Sequence, residues 1–135
     1  MINEIDHIGI AVRSVEEACK FYEGVLGLRV KEILDIPERE IRAAMIDGGN
    51  VTIELIQPLG EDSTVSKFLE KWGEGIHHIA FRVSNIEKVL ENLVEEGVEM
   101  ITSKPQKGAH GRKVAFLSPK SCHGVLIELC EAIET

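Results

Sequence analysis

An α+β fold built from two tandem βαβββ modules is what this sequence predicts, on three observations. The chain nearly repeats itself: Ile5-Asp6-His7-Ile8-Gly9-Ile10-Ala11-Val12 is echoed by Ile76-His77-His78-Ile79-Ala80-Phe81-Arg82-Val83, and Ile53-Glu54-Leu55 by Ile127-Glu128-Leu129. Each copy continues with one amphipathic helix and then three short β-type segments. Strand and helix therefore do not alternate throughout, which excludes a doubly wound α/β sheet. The length of 135 residues suits one domain, 1–135, with a core that needs no staples.

The elements follow in order. Residues 5–12 alternate and are β-branched, so they read as a strand. Ser14 with Glu17 forms a capping box, and Val15, Ala18, Tyr22 and Val25 mark one helix face that Gly27 ends. Strands are expected over 28–36, broken by Pro37, then over 41–46 and, after the turn Asp47-Gly48-Gly49-Asn50, over 51–57. A linker (about 59–74) separates module one (about 3–58) from module two (about 75–132). In it Ser63-Thr64 caps a short helix bearing Val65, Phe68, Leu69 and Trp72. Module two repeats the order. It has a strand over 76–83, then a helix capped by Asn85 with Ile86, Val89, Leu90, Leu93 and Val94 inward, ended by Gly97. Strands follow over 98–101, 113–117 and 125–130, with loops at 108–111 and 119–124.

Composition narrows the function. Hydrophobic content of 44% and charged content of 28% are those of a soluble globular protein. No apolar run is long enough for a membrane span, and Met1-Ile2-Asn3-Glu4 does not resemble a signal peptide, so a cytoplasmic location is expected. A net charge of −8 argues against nucleic acid as a partner. It leaves room for a small anionic ligand, because Lys104, Lys107, Arg112, Lys113 and Lys120 gather in module two; a solvated loop explains these lysines equally well. Cys19, Cys122 and Cys130 have no paired spacing, so they read as small, reduced, buried or half-buried residues.

Strand parity gives the repeat its chemistry. Ile8, Ile10 and Val12 share one face, as do Ile79, Phe81 and Val83, and these faces suit packing under helices. His7 and His78 fall on the opposite, less bulky faces, with Gly9 and Ala11 and with Ala80 and Arg82. Glu54 and Glu128 likewise lie opposite their flanking Ile and Leu. One strand histidine is ordinarily structural. Two histidines and two glutamates at equivalent places point instead to one divalent metal held by both halves. Imidazole and carboxylate together suit Co, Mn, Ni, Zn or Fe(II). Four protein ligands on a six-coordinate ion leave two positions for a bidentate oxygen substrate. His77 points to the helix side and reads as structural, and His110 and His123 read as loop residues.

On these residues the chain resembles the vicinal oxygen chelate (glyoxalase/bleomycin resistance/dioxygenase) superfamily. The similarity narrows to its methylmalonyl-CoA epimerase family through Pro58-Leu59 with Glu61-Asp62-Ser63-Thr64-Val65, His77-His78-Ile79-Ala80, and Pro119-Lys120-Ser121 followed by Gly124-Val125-Leu126-Ile127-Glu128-Leu129. The resemblance covers essentially the whole chain. It implies a mixed, curved eight-stranded sheet around a metal cleft. It also implies a divalent ion, cobalt before manganese, nickel or zinc, on His7, Glu54, His78 and Glu128. The implied reaction interconverts (2R)- and (2S)-methylmalonyl-CoA through a metal-stabilised enolate. Glu128 is the implied base, Arg112, Lys120 and Ser121 are candidates for binding the acyl-CoA, and a homodimer is implied. Some members carry a second catalytic carboxylate where this chain has Ala43, so the second proton donor is left open. A glyoxalase I-type lactoylglutathione lyase shares the same fold and metal set. An extradiol dioxygenase fits less well, since it uses two histidines and one carboxylate. A non-catalytic binding protein of this fold can drop the ligands that this chain keeps.

Overall fold

Eight strands and three helices arise among the residues described by the computed structural model, 2–132. The expected span of 1–135 therefore includes Met1 and residues 133–135, which lie outside the described residues. In chain order the elements are β1 (Ile2–Ala11), α1 (Val15–Cys19), β2 (Arg29–Ile36), β3 (Ile41–Asp47), β4 (Thr52–Pro58) and α2 (Thr64–Trp72). They continue with β5 (Gly75–Val83), α3 (Ile86–Glu95), β6 (Gln106–Lys107), β7 (Lys113–Leu117) and β8 (Ile127–Glu131). Side-chain caps start all three helices. Glu17 N donates to Ser14 Oγ (3.1 Å), Val65 N to Ser63 Oγ (3.2 Å) and Lys88 N to Asn85 Oδ1 (3.3 Å). Such caps are worth about 1 kcal/mol each.

The structure corrects three local expectations. Val25 does not face inward; it is 72% exposed. After Cys19 the helix widens into a π turn, Lys20–Val25, in which Leu26 N donates to Phe21 O (3.0 Å). The extra residue per turn rotates Val25 off the face of Val15, Ala18 and Tyr22. Val94 is also exposed, because it falls beside rather than within the stripe of Ile86, Val89, Leu90 and Leu93. Residues 98–101 are not a strand, although Met100 makes an isolated bridge to Leu117. Ile101 N donates to Phe116 O (2.9 Å), but Phe116 N turns to the Thr102 hydroxyl (3.0 Å), so the ladder stops. The edge strand is β6 instead, paired with β7.

Two compact units divide the chain: His7–His77, and Met1–Asp6 with His78–Thr135. In the first, the strands run β2-β3-β4-β1, antiparallel except for the parallel pair β1/β4. Val12, Val15, Ala44, Ile46 and Leu55 form its helix-side core. The linker helix α2 belongs to this unit and buries Val65 and Leu69. Its Phe68 ring meets His77 edge-on at 4.9 Å, consistent with a structural His77. Gly48 permits the β3–β4 turn, because a Cβ there would meet Val51 O at 2.5 Å.

The second unit repeats the plan. Its strands run β5-β8-β7-β6, with β5/β8 parallel and the other pairs antiparallel. On one face α3 covers Val83, Ala115, Leu117 and Leu129. On the other, Ala80, Val114, Phe116 and Cys130 form a smaller apolar cluster. Mixed sheets with helices on one face agree with the predicted α+β class. No helix among the described residues is long and apolar enough to cross a membrane. None of the three cysteines forms a disulfide among the described residues; Cys130 is buried and Cys19 and Cys122 are half-buried.

Candidate functional site

In the unit His7–His77, parallel pairing of β1 with β4 decides where the polar residues stand. His7 is level with Thr52, Gly9 with Glu54 and Ala11 with Ile56. His7 and Glu54 therefore share the face turned away from the helix-side core, one residue pair apart. His7 Nε2 lies 3.3 Å from Glu54 Oε1, and the two residues are only 8% and 6% exposed. Gly9, the residue level with Glu54, has no side chain to crowd that face.

The second unit has the same construction. Ala80 of β5 is level with Glu128 of β8, so the glutamate again stands beside the residue two places after the histidine. His78 Nε2 lies 3.1 Å from Glu128 Oε1, both are buried, and the His78 ring meets Phe116 edge-on at 6.4 Å. A carboxylate inside an apolar face is costly unless it is paired or bound to a cation. Each unit meets that requirement in the same way, with an imidazole nitrogen against a carboxylate oxygen. These donor types fit a borderline divalent ion.

The remaining sequence-predicted residues are placed as follows. Arg112 is half-buried. Its Nη1 and Nη2 donate to Asp6 (3.2 and 3.0 Å), and its Nε donates to Glu131 O (3.0 Å). Burial acts to lower the Arg112 pKa, but the hydrogen bonds and charge of Asp6 outweigh it and hold the group above its usual value. Arg82 joins the same carboxylate, with Nε 3.1 Å from Asp6 Oδ1. Lys120 is exposed on the turn Pro119–Ser121, and Ser121 Oγ accepts from Glu99 N (2.8 Å). His110 and His123 lie in turns with left-handed backbones, φ 59 and 56. Ala43 is fully buried on β3, level with Ile56, and so lies on the Glu54 face. Sequence reasoning missed the Asp6–Arg82–Arg112 cluster. Asp6 adjoins His7 in the motif, yet nothing local names arginines far along the chain as its partners.

Comparison with known proteins agrees with this construction. Residues 6–116 match the model of the glyoxalase/bleomycin resistance protein/dioxygenase superfamily. The chain is 46% identical to the uncharacterized protein YqjC of Bacillus subtilis, over 96% of this chain and 93% of that one. It is 40% identical to the ethylmalonyl-CoA/methylmalonyl-CoA epimerase of Cereibacter sphaeroides, over 96% and 98%. A solved methylmalonyl-CoA epimerase in complex with methylmalonyl-CoA and NH4+ superposes with a TM-score of 0.91 at 37% identity, over 98% and 96%. A lactoylglutathione lyase of Arabidopsis thaliana is more distant, at 27% identity with only 43% of its length covered. The chain belongs to the glyoxalase/bleomycin resistance protein/dioxygenase superfamily and, within it, to the methylmalonyl-CoA epimerase family.

Proposed function

We propose that the protein is a metal-dependent epimerase that interconverts (2R)- and (2S)-methylmalonyl-CoA. The observation that carries this reading is the duplicated histidine–glutamate pair, set in the same register on the same face of both units. His7, Glu54, His78 and Glu128 are the proposed ligands of one divalent ion, cobalt before manganese, nickel or zinc. All four are buried imidazoles or carboxylates. When bound, such an ion supplies Lewis-acid polarisation of the thioester carbonyl, which makes the α-proton acidic enough to remove.

The chain's own residues carry the proton. The Glu128 carboxylate accepts the α-proton, and the imidazole of His78 beside it holds its orientation. Small residues, Gly9 and Ala80, stand level with the two glutamates and keep bulk away from the reacting carbon. Lys120 and Ser121 are the proposed contacts to the CoA phosphates. Arg112, tied to Asp6, would contribute at most through the guanidinium edge left over. The protein is proposed to act in the cytoplasm and, as the family resemblance implies, as a homodimer.

The test compares substrates on one preparation. Conversion of (2S)- to (2R)-methylmalonyl-CoA, without conversion of the methylglyoxal–glutathione hemithioacetal, is expected. Turnover of the hemithioacetal alone would replace the epimerase with a lactoylglutathione lyase.

A further inference from the structure

Epimerisation needs two proton transfers, one to remove the α-proton and one to return a proton to the other side of the carbon. Glu128 accounts for the first. Ala43, at the position where some family members carry a carboxylate, cannot supply the second. The unit His7–His77 offers another carboxylate, and a break in the β2–β3 ladder decides where it points.

Arg29 and Val30 pair with Asp47 and Ile46, after which the register shifts, so that Glu32 pairs with Met45 and Leu34 with Ala43. Lys31 is the extra residue of a β-bulge. Before the bulge, Val30 packs in the helix-side core with Ala44 and Ile46. Without the bulge, Glu32 would stand opposite Ala44, on the helix-side face. With it, Glu32 turns to the opposite face. The registers then define one row across the sheet: Glu32 of β2, Met45 of β3, Glu54 of β4 and Gly9 of β1. Glu32 and Glu54 are two strand spacings apart, about 10 Å between backbones, on either side of Met45.

Three further observations single out Glu32. It is half-buried, whereas Lys31 and Ile33 beside it are exposed. Ala43, diagonal to it on the same face, is itself buried and carries only a methyl group. A third carboxylate on this face, Asp47, holds its own turn. It accepts from Gly49 N (2.8 Å), and that hydrogen bond, helped by Arg29, holds its carboxyl below the usual range and unsuited to donating a proton.

We propose that Glu32, aimed by the bulge at Lys31, is the second acid–base residue of the epimerase. The inference rests on the proposed function above. In one direction Glu128 breaks the α-C–H bond and keeps the proton, while the electron pair passes into the thioester enolate. Glu32, entering as the neutral acid, forms the new C–H bond and leaves as a carboxylate. Exchange with solvent resets both groups, and the reverse reaction exchanges their roles.

The experiment follows both epimers of methylmalonyl-CoA separately by proton NMR in deuterated water, with wild type, Glu32→Gln and Glu32→Asp. Wild type is measured first. If it neither exchanges nor interconverts the epimers, the epimerase reading fails and this proposal fails with it. Given an active wild type, Glu32→Gln should slow interconversion by about 100-fold or more while one epimer still exchanges its α-proton through Glu128. Metal content should be unchanged, and Glu32→Asp should recover part of the interconversion. Two results would overturn the role of Glu32 and leave the epimerase standing: interconversion by Glu32→Gln within about threefold of wild type, or equal loss of exchange at both epimers.

Discussion

Arg112 grips Asp6 through two parallel hydrogen bonds, Nη1 to Oδ2 at 3.2 Å and Nη2 to Oδ1 at 3.0 Å, joining residues 106 positions apart in the chain. The side chains are 16% and 10% exposed, so the pair is largely shielded from water. Removing one partner of such a pair leaves an uncompensated buried charge. Arg82 remains on Asp6 and softens the effect, so Arg112→Ala should lower stability by about 2–3 kcal/mol. Arg112→Lys should recover little, because an ammonium cannot reproduce the two-pronged grip. Urea denaturation of the three proteins checks both expectations.

The helix-side core of the second unit makes a sharper contrast. Leu129 is fully buried under α3, whereas Val94 on that helix is 60% exposed. Leu129→Ala should cost about 2–5 kcal/mol through the cavity it opens. Val94→Ala should stay within about 0.5 kcal/mol of wild type. Thermal or urea melts of the two variants side by side separate them.

These two positions show what was legible in the sequence. Val94 reads as an inward residue of its helix, and Leu129 as a residue on the face opposite Glu128. For Leu129, period-2 alternation on a strand leaves only two faces, so the reading holds. On α3 the apolar stripe has an edge, and Val94 lies just outside it. The helical pattern at Val25 fails for a different reason: a π turn changes the residues per turn, and no local signal in Lys20–Val25 announces it. Residues 98–101 have strand composition but lose the ladder to a side-chain acceptor, Thr102 Oγ1. The two histidine–glutamate pairs were legible because the repeat names the residues and parity names their face. Asp6–Arg112 was not, because sequence spacing carries no information about a partner so far along the chain. The bulge that turns Glu32 appears only in the strand register.

Acid should weaken the β3–β4 turn in a defined way. The Gly49 N–H donated to Asp47, followed by the charge of Arg29, holds the Asp47 carboxyl below its usual value in the folded state. A depressed folded pKa adds stability that is complete above the unfolded value, about 3.9, and is lost as pH falls through the folded one. Asp47→Asn should therefore be less stable than wild type at pH 7, and the difference should shrink as pH drops below that range. The comparison is made by urea titrations at neutral and strongly acidic pH. A difference that grows in acid would contradict the assignment.

Glu128→Gln keeps the shape of the side chain and removes its basicity. It should slow deuterium exchange at the α-carbon of methylmalonyl-CoA by about 10²–10⁴-fold, the usual weight of a positioned general base. Circular dichroism matching wild type would show that the fold is intact. Unimpaired exchange would remove Glu128 from the role of base.

The central claim is that the duplicated pairs His7/Glu54 and His78/Glu128 hold one divalent ion on which α-proton removal depends. Its most direct test is proton NMR of methylmalonyl-CoA in deuterated water, run with the purified protein, with the protein stripped by a chelator, and with stripped protein given back Co2+. The predicted result is loss of the α-proton signal with the first, near-silence with the second, and recovery with the third. Exchange that continues undiminished after stripping would contradict the account.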